Sequence, residues 1–235
     1  MNNLSDEQVI QFITESLEEN YNLLKLEGGH ALSTENIELA LRQVILYWTH
    51  LKNLALNVTD TEVALSLPNQ KTDQGVPFTI YGVIDLVNQN DKLFMYDIKT
   101  HDCDYVSENI NLYEKQLGLY AYIWEQLNDR TLDGAGVIAI GENDILKQEL
   151  LNVAKEDYAQ FRSESWNPLI PIKIEKQKME KVLQEFKETV DFIEFNPFTP
   201  RKLTMDKESG NFIQKSCNNC DVRFNCISYK ERGYL

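Results

Sequence analysis

Two adjoining stretches, Tyr81-Gly82-Val83-Ile84-Asp85-Leu86-Val87 and Lys92-Leu93-Phe94-Met95-Tyr96-Asp97-Ile98-Lys99-Thr100, decide the fold of this 235-residue chain. In both, β-branched and aromatic residues crowd around single charged ones, the composition of strands that carry a functional group to the rim of a sheet. Asn88-Gln89-Asn90-Asp91 between them supplies turn residues, so the pair reads as a β-hairpin. Asp85 and Asp97 then come from neighbouring strands and meet Lys99 in one place. Carboxylates that close repel unless a cation lies between them, and a hard divalent ion such as Mg²⁺ or Mn²⁺ accepts oxygen ligands of this kind. A lysine beside such an ion can orient a water or offset developing negative charge, which is equipment for phosphodiester hydrolysis.

Helical periods surround the hairpin. Ser5, with Gln8 at capping-box spacing, starts a helix over residues 5–26. After Gly28-Gly29, Ser33 or Thr34 caps a second helix running to about Ala55, with Leu41, Ile45, Trp48 and Leu51 as its buried stripe. Residues 61–69 (TEVALSLPN) and the Pro77–Ile80 segment read as strands leading into the hairpin. Downstream, a helix is predicted over 110–127 with Leu112, Leu119, Ile123 and Leu127 as its apolar stripe, followed by a strand at Ala135–Ile140. Residues 142–175 are mixed and give no clear period. From Ile174 to Ile193 the pattern is helical, with Met179, Val182, Phe186, Val190 and Ile193 on one face, until Asn196-Pro197-Phe198-Thr199-Pro200 breaks it.

Gly82-x-x-Asp85, Asp97-x-Lys99-Thr100 and Gln116-x-x-x-Tyr120 follow one another in this order, and Cys217-x2-Cys220-x5-Cys226 comes after them. Each motif is weak alone. The series resembles the core motifs of the PD-(D/E)XK nucleases, specifically the RecB-like and Cas4-like branch, over residues 45–230. The resemblance implies an α/β fold with a restriction-endonuclease-like core, a mixed β-sheet flanked by helices. A helical N-terminal part and a C-terminal cysteine-bearing segment would be added to it. The parts expected are N-terminal helices packed on the core (1–56), the nuclease core (57–195) and a basic cysteine segment (196–235). Carried over residue by residue, the resemblance makes Asp85 and Asp97 metal ligands, adds the backbone carbonyl of Ile98 and makes Lys99 the catalytic lysine. It also sets Gln116 and Tyr120 beside the site to help place Lys99 and the nucleic acid strand. Residues four apart share a helix face, which suits that last pair. The family adds a histidine ligand from a preceding helix. Of His30, His50 and His101, His50 late in the second helix is the candidate, outside the family's usual G-x-x-x-H setting.

Four cysteines without a secretory segment argue against a disulfide framework and for a cytoplasmic protein. Three of them fall between Cys217 and Cys226, and clustered thiolates are soft ligands for zinc or for iron in a cluster. The resemblance favours a [4Fe–4S] cluster, with zinc as the alternative. The family's fourth ligand is a cysteine upstream of the core, whereas Cys103 here follows the second motif. Ligation by Cys103, completion by a non-cysteine group and a vestigial site all stay open.

Net charge is −14, from 23 Lys+Arg against 37 Asp+Glu, so bulk attraction to a phosphate backbone is absent. Distribution softens this. Residues 1–20 hold only acids (Asp6, Glu7, Glu15, Glu18, Glu19), whereas the segment from Arg201 holds Arg201, Lys202, Lys207, Lys215, Arg223, Lys230 and Arg232 against Asp206, Glu208, Asp221 and Glu231. The cysteine-bearing tail is thus the part suited to touch phosphates, and salt-sensitive binding is expected. No apolar run approaches the length of a membrane span. The combined reading is a metal-dependent nuclease acting on DNA, an exonuclease or end-processing enzyme for single strands or free ends. Repair, recombination, viral or CRISPR DNA processing would use it, with a helicase or recombination protein as partner. The alternative is a nuclease-fold binding or scaffold subunit whose acidic N-terminal helix docks a basic protein.

Overall fold

Alternating burial fixes the two strands that present the acidic residues. In β2 (Pro77–Gln89) Ile80, Gly82, Ile84 and Leu86 are buried, and in β3 (Leu93–Lys99) Leu93, Met95 and Asp97 are. The period of two that sends Leu93 and Met95 into the core therefore sends Asp97 to the same face. This computed structural model describes residues 4–28, 32–195, 217, 220, 221 and 223–226. The Pro77–Ile80 segment, read above as a strand of its own, is the start of β2, and the hairpin turns over at residues 90–92.

With β1 (Asp60–Lys71), β4 (Gly134–Ala139) and β5 (Leu169–Ile172) these strands form a five-stranded sheet in the order β1-β2-β3-β4-β5. β2 pairs antiparallel with β3, β3 parallel with β4, and β4 antiparallel with β5, so the sheet is mixed as the motifs imply. A parallel step needs a crossover. It is made by α3 (Cys103–Glu108) and α4 (Ile110–Asn128), which bring Val106, Tyr113 and Leu117 against Ala135, Val137 and Ala139 of β4 and Ile172 of β5. The stripe expected through Leu112, Leu119, Ile123 and Leu127 is corrected here. Only Ile123 of the four is buried, while Leu112 is 60% and Leu127 47% exposed. The row Tyr113, Leu117, Ala121 and Trp124 faces inward instead, the aromatic rings burying more apolar area than leucine would.

The N-terminal helices form as their caps predict. α1 (Asp6–Leu26) opens with the Ser5–Gln8 capping box, and α2 (Thr34–Asn57) is capped by Ser33. Asp6 joins the two, accepting from Trp48 Nε1 at 3.2 Å and from Lys52 Nζ at 2.6 Å. In α2, Ile45 and Trp48 are buried as expected, whereas Leu41 and Leu51 are only half-buried. The helix kinks at Leu51 (φ −116°, ψ 24°). Just upstream, Thr49 Oγ1 and His50 Nδ1 both reach the Leu46 carbonyl at 3.0 Å, and side chains that occupy a helical carbonyl loosen the ladder.

Residues 142–175, unplaced by pattern, hold α5 (Asp144–Leu150), a 3-10 turn at Lys155–Asp157 and β5. Leu146, Leu150 and Trp166 pack on Leu46 as a second apolar cluster, and a two-bond ion pair from Arg42 to Glu142 (2.6 and 2.8 Å) pins this segment to α2. α6 (Lys176–Phe195) buries Met179 next to Gly118 of α4. Of the face expected for α6, Val182, Phe186 and Val190 are half-buried, but Ile193 is 70% exposed and does not join it.

The chain divides into two compact units, residues 1–70 with 77–185, and residues 71–76 with 186–235. In the second, Thr72 and Val76 close a turn through Gly75 (φ 86°). The cysteine segment makes its own short turns, Cys220 N to Cys217 O at 3.2 Å and Cys226 N to Arg223 O at 3.2 Å. The break at Asn196–Pro200, His30 and the basic tail apart from Arg223 lie outside the described residues.

Candidate active site

The β2–β3 ladder ends at Leu86 opposite Tyr96. Just beyond it a side chain replaces the ladder: Asp85 Oδ2 accepts from the Ile98 N–H at 2.6 Å, beside Asp97, whose carboxyl feels the Asp85 charge. Asp97 is 2% exposed. Its Oδ1 accepts from Gln116 Nε2 at 3.2 Å. Its Oδ2 lies 2.6 Å from Lys99 Nζ, yet no donor is aligned to give it a hydrogen bond. Burial pushes the Asp97 carboxyl above the ordinary carboxylate range; the Lys99 ammonium works against that rise and the Asp85 charge adds to it. A carboxylate oxygen has more than one lone pair, so this buried oxygen, with a single off-axis cationic contact, keeps acceptor capacity that a bound cation can use.

α4 completes the constellation. Gln116 Nε2 also donates to the Tyr120 hydroxyl at 3.1 Å, so one amide group joins Asp97 to the phenol and fixes which way the amide points. Gly82 makes room for this. A Cβ there would lie 2.4 Å from Tyr120 Cε1, so the glycine of the first motif is the floor on which the ring of the third rests. Asp85, Asp97, Lys99, Gln116 and Tyr120 are thus drawn together by β2, β3 and α4.

Two residues that motif reading passed over belong beside them. Tyr113 is buried one turn before Gln116, and its hydroxyl, raised chiefly by burial, senses both Lys99 and Asp97. Its i, i+3 spacing to Gln116 was the available signal. Gly141 donates its N–H to the His101 carbonyl at 3.0 Å, and a Cβ there would meet the backbone of residues 100–102 at 2.4 to 2.6 Å. That contact holds the chain as it leaves Lys99, and nothing in the local sequence announces it.

His50 is not brought to the carboxylates. The Ser163 N–H donates to His50 Nε2 at 3.0 Å, which requires that nitrogen to be unprotonated and leaves Nδ1 to donate to Leu46 O. The ring packs edge-on to Trp166 at 4.9 Å, and burial holds its pKa below the usual value. With both nitrogens occupied, this imidazole braces α2 against the Ser163 loop. Cys103 lies among the apolar side chains at the start of α3, near Asn143 Nδ2 (3.6 Å), and its thiol is pushed up by burial and by Asp104. Cys217, Cys220 and Cys226 are all free thiols.

Among the described residues no three His, Cys, Asp or Glu side chains gather into a metal-ligand set. The groups that could hold a divalent ion are the carboxylates of Asp85 and Asp97 and the adjoining Ile98 carbonyl, with water to complete the shell. These are hard oxygen donors, and Asp97 Oδ2, paired with the Lys99 ammonium off hydrogen-bond alignment, has acceptor capacity left, so the residues fit Mg²⁺ or Mn²⁺.

Two acids and a lysine on adjacent strands of a helix-flanked mixed sheet define a restriction-endonuclease-like protein. The chain belongs to the PD-(D/E)XK nuclease superfamily, whose family model matches residues 4–227. Metal-dependent nucleolytic hydrolysis is the activity that membership carries. Among solved structures, the crystal structure of SSO0001 is similar over 92% of this chain and 96% of that one, at 15% identity and a TM-score of 0.40. No curated protein matches the sequence. No helix among the described residues is long and apolar enough to cross a membrane.

Proposed function

We propose that this protein is a Mg²⁺- or Mn²⁺-dependent nuclease that hydrolyses DNA phosphodiester bonds as an exonuclease or end-processing enzyme. The observation that carries the reading is Asp97, an acid in a core position whose Oδ2 has a cationic neighbour but no hydrogen bond. A divalent ion held by Asp85, Asp97 and the Ile98 carbonyl supplies Lewis-acid polarisation of the scissile phosphate and a more acidic attacking water. The chain's own residues do the rest. Asp97 is held in one orientation by Gln116, which Tyr120 steadies in turn, so the site is organised before substrate arrives. Lys99, whose side chain is 26% exposed, can turn its ammonium from Asp97 toward the phosphate and offset the charge that builds there as the bond breaks. Asp85 keeps the tip of β3 in place through Ile98 N–H.

A net charge of −14 means that long-range attraction to a phosphate backbone, single or double, is lacking, so binding is expected to be weak and salt-sensitive. A [4Fe–4S] cluster or zinc on Cys217, Cys220 and Cys226 is part of the same proposal, supported by thiolate clustering. End-labelled linear and circular single-stranded DNA, with and without Mn²⁺, test the activity. Linear substrate should be degraded, circles spared, and Lys99→Ala or Asp97→Asn should lower kcat by about 10²- to 10³-fold or more at unchanged fold. Undiminished cleavage by both variants would remove the site assignment, and rapid cutting of circles would remove the end requirement.

A further inference from the structure

Two residues beyond Lys99 the chain carries a feature that cleavage chemistry does not use. The rings of His101 and Tyr105 stack face to face, centroids 4.2 Å apart and planes 16° from parallel, and both side chains are exposed. Their backbones are held in advance of any ligand. The His101 carbonyl accepts from Gly141, whose approach is too close to admit a side chain, and Tyr105 stands in the first turn of α3, where the Asp102 carboxylate accepts from its N–H at 2.8 Å. The stack is also near the chemistry. Two extended residues span at most about 7 Å, so the His101 backbone lies within that reach of Lys99.

The surroundings select what can lie there. Asp102, Asp104, Glu108 and Asp144 line the adjoining cleft of 300 Å³ and would repel a phosphate. Asp102 and Asp104 are already engaged, by Tyr105 N–H and by Asn143 Nδ2. What remains is a flat π-face among acids, suited to an uncharged aromatic ring. We infer that the His101–Tyr105 stack is a platform for an unpaired nucleobase of the substrate strand, next to the phosphodiester that is cut. The inference rests on the nuclease reading and deepens it. A base within a duplex is stacked on its neighbours, so only a single strand or frayed end can use the platform, and substrate preference arises without a basic groove.

The test uses the full chain with Mn²⁺ and single-stranded oligonucleotides in which one abasic position is walked past the cleaved end. Tyr105→Ala should raise KM by about 5- to 150-fold at nearly unchanged kcat, the range of one base–aromatic stack, whereas Tyr105→Phe and Tyr105→Trp should hold KM near wild type. For the wild type, one abasic position should impose a KM penalty of similar size, and Tyr105→Ala should be indifferent to that position. Active wild type with no position-specific penalty, or Tyr105→Ala with a wild-type KM, overturns the platform and leaves the nuclease standing. Wild type that cleaves no strand overturns both.

Discussion

Replacing Gly82 by alanine should disable the site from a distance. The new Cβ would fall 2.4 Å from Tyr120 Cε1, and carbon atoms in contact settle at about 3.5–4.0 Å, so the ring must withdraw by about 1 Å. Withdrawal of that size stretches the 3.1 Å bond from Gln116 Nε2 to the Tyr120 hydroxyl to about 4 Å, beyond hydrogen-bond range. Gln116 then steadies Asp97 with nothing behind it. Overpacking of this kind costs about 1–3 kcal/mol, and misplacement of a catalytic group by about 1 Å lowers turnover by about 10²-fold. The assay pairs thermal unfolding with steady-state cleavage of a labelled strand in Mn²⁺. Gly82→Ala combined with Tyr120→Leu separates the two effects, because leucine relieves the clash without restoring the hydroxyl. Stability should return in the double variant while kcat stays low. Gly82→Ala cleaving within about twofold of wild type would refute the reasoning, since the chain of contacts from Gly82 to Asp97 would then transmit nothing.

Three further outcomes follow from the same structure. Burial keeps His50 below its usual pKa, so the folded state binds fewer protons than the unfolded chain below a pH of about 6.5. The stability supplied by its neutral ring is whole above that pH and is lost as pH falls toward the folded value, so the urea midpoint of wild type should drop more on acidification than that of His50→Gln. Equal drops would refute the linkage. Arg42→Ala strands Glu142, whose side chain is 4% exposed, and should cost about 3 kcal/mol in urea unfolding. Arg42→Met with Glu142→Leu should recover most of it, and a neutral single variant would show that the pair is not needed. Anaerobically purified protein should contain iron or zinc that disappears in Cys217→Ser with Cys220→Ser; absence of both metals from wild type would end the proposal for the tail.

The hairpin and its acids were legible because β-branched and aromatic residues crowd around single charged ones on either side of the turn-like Asn88–Asp91. The Ser5–Gln8 capping box and the Ser33 cap made the N-terminal helices equally plain. The inward face of α4 was not, since Leu112 and Leu127 look like core residues by type, and only contact with β4 and β5 shows that Tyr113 and Leu117 take the inside. Residues 142–175 escaped for a different reason: a seven-residue helix and a four-residue strand containing Pro171 are too short to display a period. His50 has the right residue type in the right helix, yet its partners, Ser163 and Leu46, are matters of tertiary packing that spacing along the chain does not encode.

Gly82, Asp85, Asp97, Lys99, Gln116 and Tyr120 lie in one unbroken stretch of sequence, carried by a hairpin and the crossover that follows it. The candidate site is therefore one contiguous segment, residues 82–120, so a fragment exchange at either end of the chain leaves all six side chains on the hairpin and crossover that bring them together.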